Sequence, residues 1–232
     1  MYKNRKVWCF ILARGGSKGI PRKNLLVLAG KPLVAHSIDV AKQVKYIDDV
    51  FVSTEDLEIK NVAIKHGATV IDRPPELATD SSSYLETVQH LMQQIPHEND
   101  NPMIVLLETT APIRESHDIE KCIELFDENV DCVASVNQVK VHPFYMYVEK
   151  ENLLYSYANS KQVQRQSAEP LVAYNGSILV TSYDFIKNKN DVILGGKIRG
   201  YLLDEKHSID IDSIFDFEIC KYLLESDKKK GQ

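Results

Sequence analysis

Short runs rich in Val and Ile recur along this chain, and each is followed by a longer stretch of helical period. That rhythm demands βαβ units, because parallel strands can be joined only by a crossover, most often a helix. Val7 to Ala13, Asp49 to Thr54, Thr69 to Asp72, Met103 to Leu107 and Val133 to Val136 read as strands. Between them a helix starting at Pro32 aligns Leu33, Ile38, Ala41 and Val44, and a second, Leu57 to His66, stops at Gly67. Leu85, Val88, Leu91, Met92 and Ile95 stripe a third helix, entered through Ser83 and Glu86 in capping-box spacing. Ile119, Cys122, Ile123 and Phe126 stripe a fourth. The pattern predicts an α/β fold with a mostly parallel, doubly wound sheet.

From about Val139 to Val172 the helical rhythm is lost, and aromatic residues alternate with others in Phe144-Tyr145-Met146-Tyr147 and Leu154-Tyr155-Ser156-Tyr157. We expect a small β-rich excursion there, inside a single domain over residues 1–232. Strands at Ser177 to Thr181 and Gly200 to Leu203 and a last helix from Ile214 to Glu225 complete it, with Lys228-Lys229-Lys230 as a frayed, solvated tail.

Composition narrows the function. With 28 basic against 33 acidic side chains the net charge is −5, so the chain as a whole has no electrostatic reason to sit on nucleic acid or an anionic membrane. The apolar run at Val7 to Ala13 is far short of the roughly 20 residues a membrane span needs, and no small-residue cleavage site follows it. A cytoplasmic protein is expected. Cys9, Cys122, Cys132 and Cys220 lack C-x-x-C spacing and sit among apolar residues, which predicts buried free thiols instead of a zinc knuckle or redox pair.

Any anion site must therefore be local, and one stretch offers it: Ala13-Arg14-Gly15-Gly16-Ser17-Lys18-Gly19-Ile20-Pro21-Arg22-Lys23-Asn24, directly after the first strand. Its glycines allow close backbone approach, and exposed N–H groups with Arg14, Lys18, Arg22 and Lys23 can cradle a polyphosphate. The spacing is neither that of the P-loop nor that of the dinucleotide fingerprint. A second chemistry-bearing pattern is Ile209-Asp210-Ile211-Asp212. In extended backbone alternate side chains share a face, so the two carboxylates point one way and the isoleucines face the core. Paired carboxylates are hard oxygen ligands suited to Mg²⁺; alone they could equally cap the following helix.

Taken with three further segments, these motifs resemble the acylneuraminate cytidylyltransferases, the CMP-sialic acid synthetase family with its relatives acting on other nine-carbon 2-keto acids. The loop from Ala13 to Asn24 is similar almost residue for residue. Arg73-Pro74-Pro75-Glu76-Leu77-Ala78-Thr79-Asp80-Ser81 resembles the stretch that helps hold cytosine, although its hydroxyls and Asp80 could also be turn and N-cap groups. Leu107-Glu108-Thr109-Thr110-Ala111-Pro112-Ile113-Arg114 matches a segment that usually reads L-Q-P-T-S-P-L-R. Here Glu108 replaces a glutamine associated with substrate recognition; it loses two N–H donors and adds a charge unfavourable beside an anionic ligand. Arg165-Gln166, Pro170 and Tyr174-Asn175-Gly176 complete the likeness. Arg165 suits a carboxylate through its planar fork, and Asn175-Gly176 locally reads as a hairpin turn.

The resemblance implies a Rossmann-like nucleotidyltransferase fold and transfer of CMP from CTP to the 2-hydroxyl of a nine-carbon 2-keto-3-deoxy sugar acid, with release of pyrophosphate. It implies Ala13, Arg14, Gly15, Ser17, Lys18, Lys23, Asn24, Thr79 and Asp80 as nucleotide residues. Glu108, Thr110, Arg165, Gln166, Tyr174 and Asn175 would meet the sugar, and Asp210 and Asp212 would hold Mg²⁺, or alternatively Mn²⁺. Arg14, Lys23 and Asp212 would be catalytic, and residues 139–172 would form the dimerisation element of a homodimer. A sugar-1-phosphate nucleotidyltransferase and a non-catalytic nucleotide-binding protein are the competing readings.

Overall fold

The computed structural model describes residues 1–97, 101–158 and 168–230. In chain order the elements are β1 (Val7–Leu12), β2 (Val27–Leu28), β3 (Lys31–Pro32), α1 (Leu33–Gln43), β4 (Asp49–Thr54), α2 (Leu57–Lys65), β5 (Thr69–Asp72) and α3 (Tyr84–Gln93). Then come β6 (Met103–Leu107), α4 (Ser116–Leu125), β7 (Cys132–Gln138), β8 (Tyr147–Lys150), β9 (Leu153–Ser156), β10 (Val172–Ser182), α5 (Tyr183–Lys187), β11 (Ile198–Leu202) and α6 (Ile214–Lys230).

Seven strands form one sheet in the order β11-β7-β10-β6-β1-β4-β5. Every pairing is parallel except those of β10, which runs antiparallel to both β6 and β7. Alternation along β1 shows why the sheet is covered on both faces. Val7, Cys9 and Ile11 pack with α1, α2 and α4 through Val34, Ile38, Ile59, Ala63, Ile119 and Ile123. Trp8 and Phe10 pack with α3 and α5 through Leu85, Val88, Leu91, Met92 and Ile186. Fully burying one such side chain contributes about 1.5–3 kcal/mol, so a one-residue register slip, which exchanges the two sets, is strongly disfavoured.

From β1 the chain goes first to β4 on one side and later to β6 on the other. This reversal is a topological switch point, and ligands bind outside the carboxyl ends of strands at such points. The antiparallel course of β10 brings Val172 to Ser177 to the same end, since Ile178 already pairs with Leu107, the last residue of β6. A third cluster, Ile20, Leu28, Leu33, Ile113, Ile211 and Cys220, fastens α6 beneath the glycine loop.

Three expectations need correction. Asn175-Gly176 is not a hairpin turn: it lies inside β10 where the register with β7 shifts, and Gly176 takes the positive φ (74°) of that irregularity. Residues 209–212 join no sheet, because the chain turns at 205–208 after β11 and is held instead by Ile211 N–H donating to the Thr110 carbonyl (2.8 Å). The last helix does not fray before the lysines but continues to Lys230. Among the described residues of 139–172, the chain makes a short 3-10 turn at Pro143–Tyr145 and the hairpin of β8 and β9, and residues 159–167 lie outside the described residues. All four cysteines are buried and unbridged.

Candidate active site

The glycine loop leaves β1 at the switch point and is pinned at both ends. A Cβ on Gly15 would lie 2.7 Å from Asp56 Oδ2, and one on Gly19 would lie 2.8 Å from the Asp212 carbonyl oxygen. Neither contact tolerates a side chain, so the loop is tight because its glycines let β4's end and the Asp210-Asp212 segment approach. Arg22, in left-handed conformation (φ 56°), forks onto Asp56 and reaches Glu58 at 3.1 Å. It is committed to holding the loop. Asn24 is buried, donates to the Arg14 carbonyl (2.8 Å) and accepts from Thr109 Oγ1 (2.5 Å), which ties the loop to the end of β6.

The remaining cations face carboxylates. Arg14 lies 2.8 Å from Asp80 Oδ1, and Lys18 lies 3.5 Å from Asp80 Oδ2. Gly15 N–H donates to Glu55 Oε1 at 2.7 Å. Thr79 Oγ1 is bonded to Ser82 Oγ at 2.8 Å, and the N-cap of α3 is Ser83, so Asp80 does not serve as that cap. Gly16 has open space around it, and Ser17 is half-buried.

Lys23 joins the loop to the carboxylate pair. Its ammonium donates to the Ile211 carbonyl at 2.7 Å and lies 3.7 Å from Asp212 Oδ1. Ile211 is fully buried while the Asp212 side chain is 83% exposed, so the expected alternation holds even without a sheet. Burial and the neighbouring Asp212 charge push the Asp210 carboxyl up, against a hydrogen bond from Thr110. Among the described residues no group of three or more metal-ligating side chains forms. Two mutually repelling carboxylate oxygen donors with a single ammonium nearby nevertheless fit a hard divalent cation that completes its shell with water and phosphate oxygens.

On the far side of the crevice Glu108 follows β6. Arg114, itself buried, donates to the Glu108 carbonyl, to Ser177 O (3.2 Å) and to Ser37 Oγ (2.5 Å), so it fixes the backbone and spends none of these bonds on the carboxylate. Desolvation lowers the Arg114 pKa to about 10. Burial pushes the Glu108 carboxyl up, and the hydrogen bond from the Tyr84 hydroxyl opposes that shift. Tyr174 lies within the field of Glu108, and burial raises its phenol pKa. Asn175 Oδ1 accepts from Ser135 Oγ (2.6 Å) and Ser177 N–H (3.1 Å). Arg165 and Gln166 lie outside the described residues.

A protein-family model described as cytidylyltransferase matches residues 8–192. The chain belongs to the cytidylyltransferase family. It is 33% identical over 215 residues to the N-acylneuraminate cytidylyltransferase of Streptococcus agalactiae serotype III, a match covering 90% of this chain and 51% of that protein. The chain thus spans about half the length of that relative. It is 32% identical over 228 residues to the CMP-N,N'-diacetyllegionaminic acid synthase of Legionella pneumophila, where coverage is 95% and 97%. A solved CMP-2-keto-3-deoxy-manno-octonic acid synthetase complexed with CTP shares the fold with a TM-score of 0.73 at 17% identity, over 96% of this chain and 99% of that one.

In this site of a cytidylyltransferase-family chain, sequence reasoning missed four contributors: Glu55 bonded to the glycine loop, Arg73, Tyr84 and the positioning role of Arg114. Arg73 is buried and donates to Ser53 Oγ (3.1 Å) and Ser53 O (2.7 Å), bracing the end of β4 against β5. Glu55 was findable as an acidic residue immediately after a parallel strand. Tyr84 reads locally as the first residue of a helix, and only the packing of α3 under β6 brings its hydroxyl to Glu108.

Proposed function

We propose that the protein transfers CMP from CTP to the anomeric 2-hydroxyl of a nine-carbon, sialic-acid-like 2-keto-3-deoxy sugar acid and releases pyrophosphate. The observation that carries this reading is Lys23, which ties the glycine loop to the Asp210-Asp212 pair at the switch point of a cytidylyltransferase-family chain. In the reaction the 2-hydroxyl oxygen bonds to the α-phosphorus of CTP, the bond to the bridging oxygen of the β-phosphate breaks, and the hydroxyl proton passes to a base, for which we assign Asp212. Arg14, Lys18 and Lys23 bind the triphosphate, with Ala13, Gly15, Ser17 and Asn24 shaping its cradle and Thr79 and Asp80 beside the nucleoside. Glu108, Thr110, Arg165, Gln166, Tyr174 and Asn175 form the sugar side. Asp210 and Asp212 would hold Mg²⁺, or Mn²⁺ in its place; when bound, such an ion neutralises charge on the phosphates. Catalysis is then mainly positioning and electrostatics.

We extend the proposal to a homodimer in the cytoplasm. Among the described residues no helix is long and apolar enough to cross a membrane. Val148, Leu153, Leu154, Tyr155 and Tyr157 of the β8–β9 region are all exposed, and an isolated two-stranded hairpin is marginally stable by itself, which supports a partner covering it.

The deciding experiment measures pyrophosphate release from CTP and Mg²⁺ with sialic, legionaminic, pseudaminic and shorter 2-keto-3-deoxy acids, beside sugar-1-phosphates with all four nucleotides. Turnover confined to CTP and nine-carbon acids is expected; turnover with a sugar-1-phosphate overturns the reading. Light scattering at micromolar concentration should give the dimer mass.

A further inference from the structure

Resting on the reading of Asp210 and Asp212 as ligands of a divalent cation, we infer that His207 is a positioning residue of the reaction: set against the buried Asp118, it anchors the turn at 205–208 to the start of α4 and so fixes where the Asp210 carboxylate stands in the crevice. The downstream half of this segment has ties of its own. Ile211 donates its N–H to the Thr110 carbonyl (2.8 Å), accepts from Lys23 at 2.7 Å and buries its side chain beneath the glycine loop, while Thr110 bonds the Asp210 carboxylate.

The upstream half is shaped by bonds within the turn itself. Ser208 N–H donates to the Asp204 carbonyl (3.1 Å), Lys206 N–H to Asp204 Oδ1 (2.8 Å) and Ser208 Oγ to the Glu205 carbonyl (2.9 Å), none of which fastens the turn to the rest of the fold. Glu205 pairs with Lys140, but their side chains are 77% and 76% exposed, and such a surface pair contributes about 0–1 kcal/mol. His207 differs. Its side chain is 17% exposed, with Nδ1 2.9 Å from Oδ2 of Asp118, which is 8% exposed, and Nε2 3.7 Å from Glu115 Oε1. Asp118 is itself fixed: Oδ2 accepts the Glu115 N–H (3.0 Å) in the capping box that starts α4, and Oδ1 accepts from the Tyr201 hydroxyl (3.3 Å) on β11. Burial and the Asp118 charge raise the Tyr201 phenol to about 12, so it stays protonated and donating.

Both ties lead to one short stretch, since Thr110 and Asp118 flank Arg114, which is pinned to Ser37 and Ser177. His207 and Asp210 are three residues apart and can be separated by at most about 11 Å, so with both ends tethered the carboxylate has little room to drift. A tether matters here because burial and the Asp212 charge both work against a charged Asp210, while Mg²⁺ demands near-octahedral ligand geometry. Nδ1 meets Asp118 outside the alignment of a hydrogen bond, so the tie is an electrostatic contact within a buried pair. Asn, whose amide nitrogen stands about where Nδ1 stands, can reproduce much of it; Leu cannot.

Calorimetry of CTP binding with and without Mg²⁺, in the absence of any sugar acid, tests this in wild type, H207L, H207N, D118N and D210N. In wild type Mg²⁺ should tighten CTP binding at least about tenfold, and D210N should abolish that gain. H207L should shrink the gain at least about threefold, toward the scale on which groups behind a metal ligand act, while CTP affinity without Mg²⁺ stays within about twofold of wild type. General loss of structure would weaken both. H207N should restore the gain to within about twofold, and D118N, which keeps an oxygen for the Glu115 N–H, should shrink it as H207L does, with the two substitutions together no worse than about twofold beyond either alone. A smaller change in folded H207L, or an equal loss of CTP affinity without Mg²⁺, overturns the inference while the loss in D210N upholds the underlying reading. No gain in wild type, or a gain that survives in D210N, overturns the reading of the carboxylates and the inference with it. Should H207L fail to fold by circular dichroism, D118N decides by the same criterion.

Discussion

Lys23 reaches across 188 positions of sequence to donate its ammonium to the Ile211 carbonyl at 2.7 Å, and the same ammonium sits 3.7 Å from Asp212 Oδ1. One side chain thereby sets the distance between the glycine loop and the carboxylate pair. Its side chain is 15% exposed, so the bond to the Ile211 carbonyl is only weakly screened, while the exposed Asp212 carboxylate faces solvent. Lys23→Met should lower kcat/KM by about 10²-fold or more, the scale on which a displacement of about 1 Å acts in such sites. Leaving the Ile211 carbonyl unpaired should also cost about 1–3 kcal/mol. Steady-state pyrophosphate release and thermal unfolding check the two effects, and full turnover in Lys23→Met would remove the link from the mechanism.

The cradle is occupied by the protein's own anions. Glu55 accepts from Gly15 N–H at 2.7 Å, and Asp80 pairs with Arg14 at 2.8 Å. A triphosphate claiming these donors must displace Glu55, so Glu55→Gln, which keeps the shape and removes the charge, should tighten CTP binding about three- to tenfold by calorimetry. Arg14→Ala should act in the opposite direction and raise the KM for CTP at least about tenfold, since a charge-assisted contact is worth more than about 1.4 kcal/mol. Weaker CTP binding in Glu55→Gln would make Glu55 a nucleotide ligand instead of an occupant.

Those two contacts also mark the limit of what could be read without coordinates. The strand–helix rhythm was legible because each apolar run has one buried face and few ways to hide it; β1, α3 and β6 emerge where periodicity places them. The antiparallel course of β10 was not legible, since Ser177 to Thr181 is equally apolar in either direction. For the site, the glycine loop and the Asp210-Asp212 alternation are local patterns and survive translation into three dimensions. Arg22 carries the same charge as Arg14 and Lys18, yet its ion pairs with Asp56 and Glu58 commit it to the loop's own structure. Tyr84 beside Glu108 depends on how α3 packs against the sheet, information that no window of sequence contains.

In the proposed reaction Asp210 and Asp212 divide the work between them in a way that substitution can separate. Asp210 is engaged by Thr110 and raised by burial, whereas the Asp212 carboxylate is open to solvent and lies 3.7 Å from the Lys23 ammonium. Asp210→Asn should chiefly shift the Mg²⁺ concentration that supports half-maximal rate. Asp212→Asn should in addition reduce kcat by about 10²-fold or more at saturating Mg²⁺, the contribution expected of a positioned base. Mg²⁺ titrations of both variants, and full activity of the wild type in excess chelator as the opposing result, test the assignment.

Stability should carry the signature of the loop anchor. Burial pushes the Asp56 carboxyl up, but N–H donation from Ile59 and Glu58 and the Arg22 guanidinium outweigh it and hold the carboxyl below its usual 3.8. A carboxyl depressed on folding adds stability that is present above the unfolded value and is lost as pH falls through the folded one. Asp56→Asn keeps a competent N-cap for α2 and removes the charge that pairs with Arg22. Its Tm should therefore lie about 1–3 °C below wild type at pH 7, the modest size expected of a partly solvated pair in a chain of this length, and the difference should close as pH drops below about 4. Scanning calorimetry from pH 7 to pH 3 follows it directly. A gap that persists undiminished at pH 3 would place the Asp56 contribution in packing or capping and not in its charge.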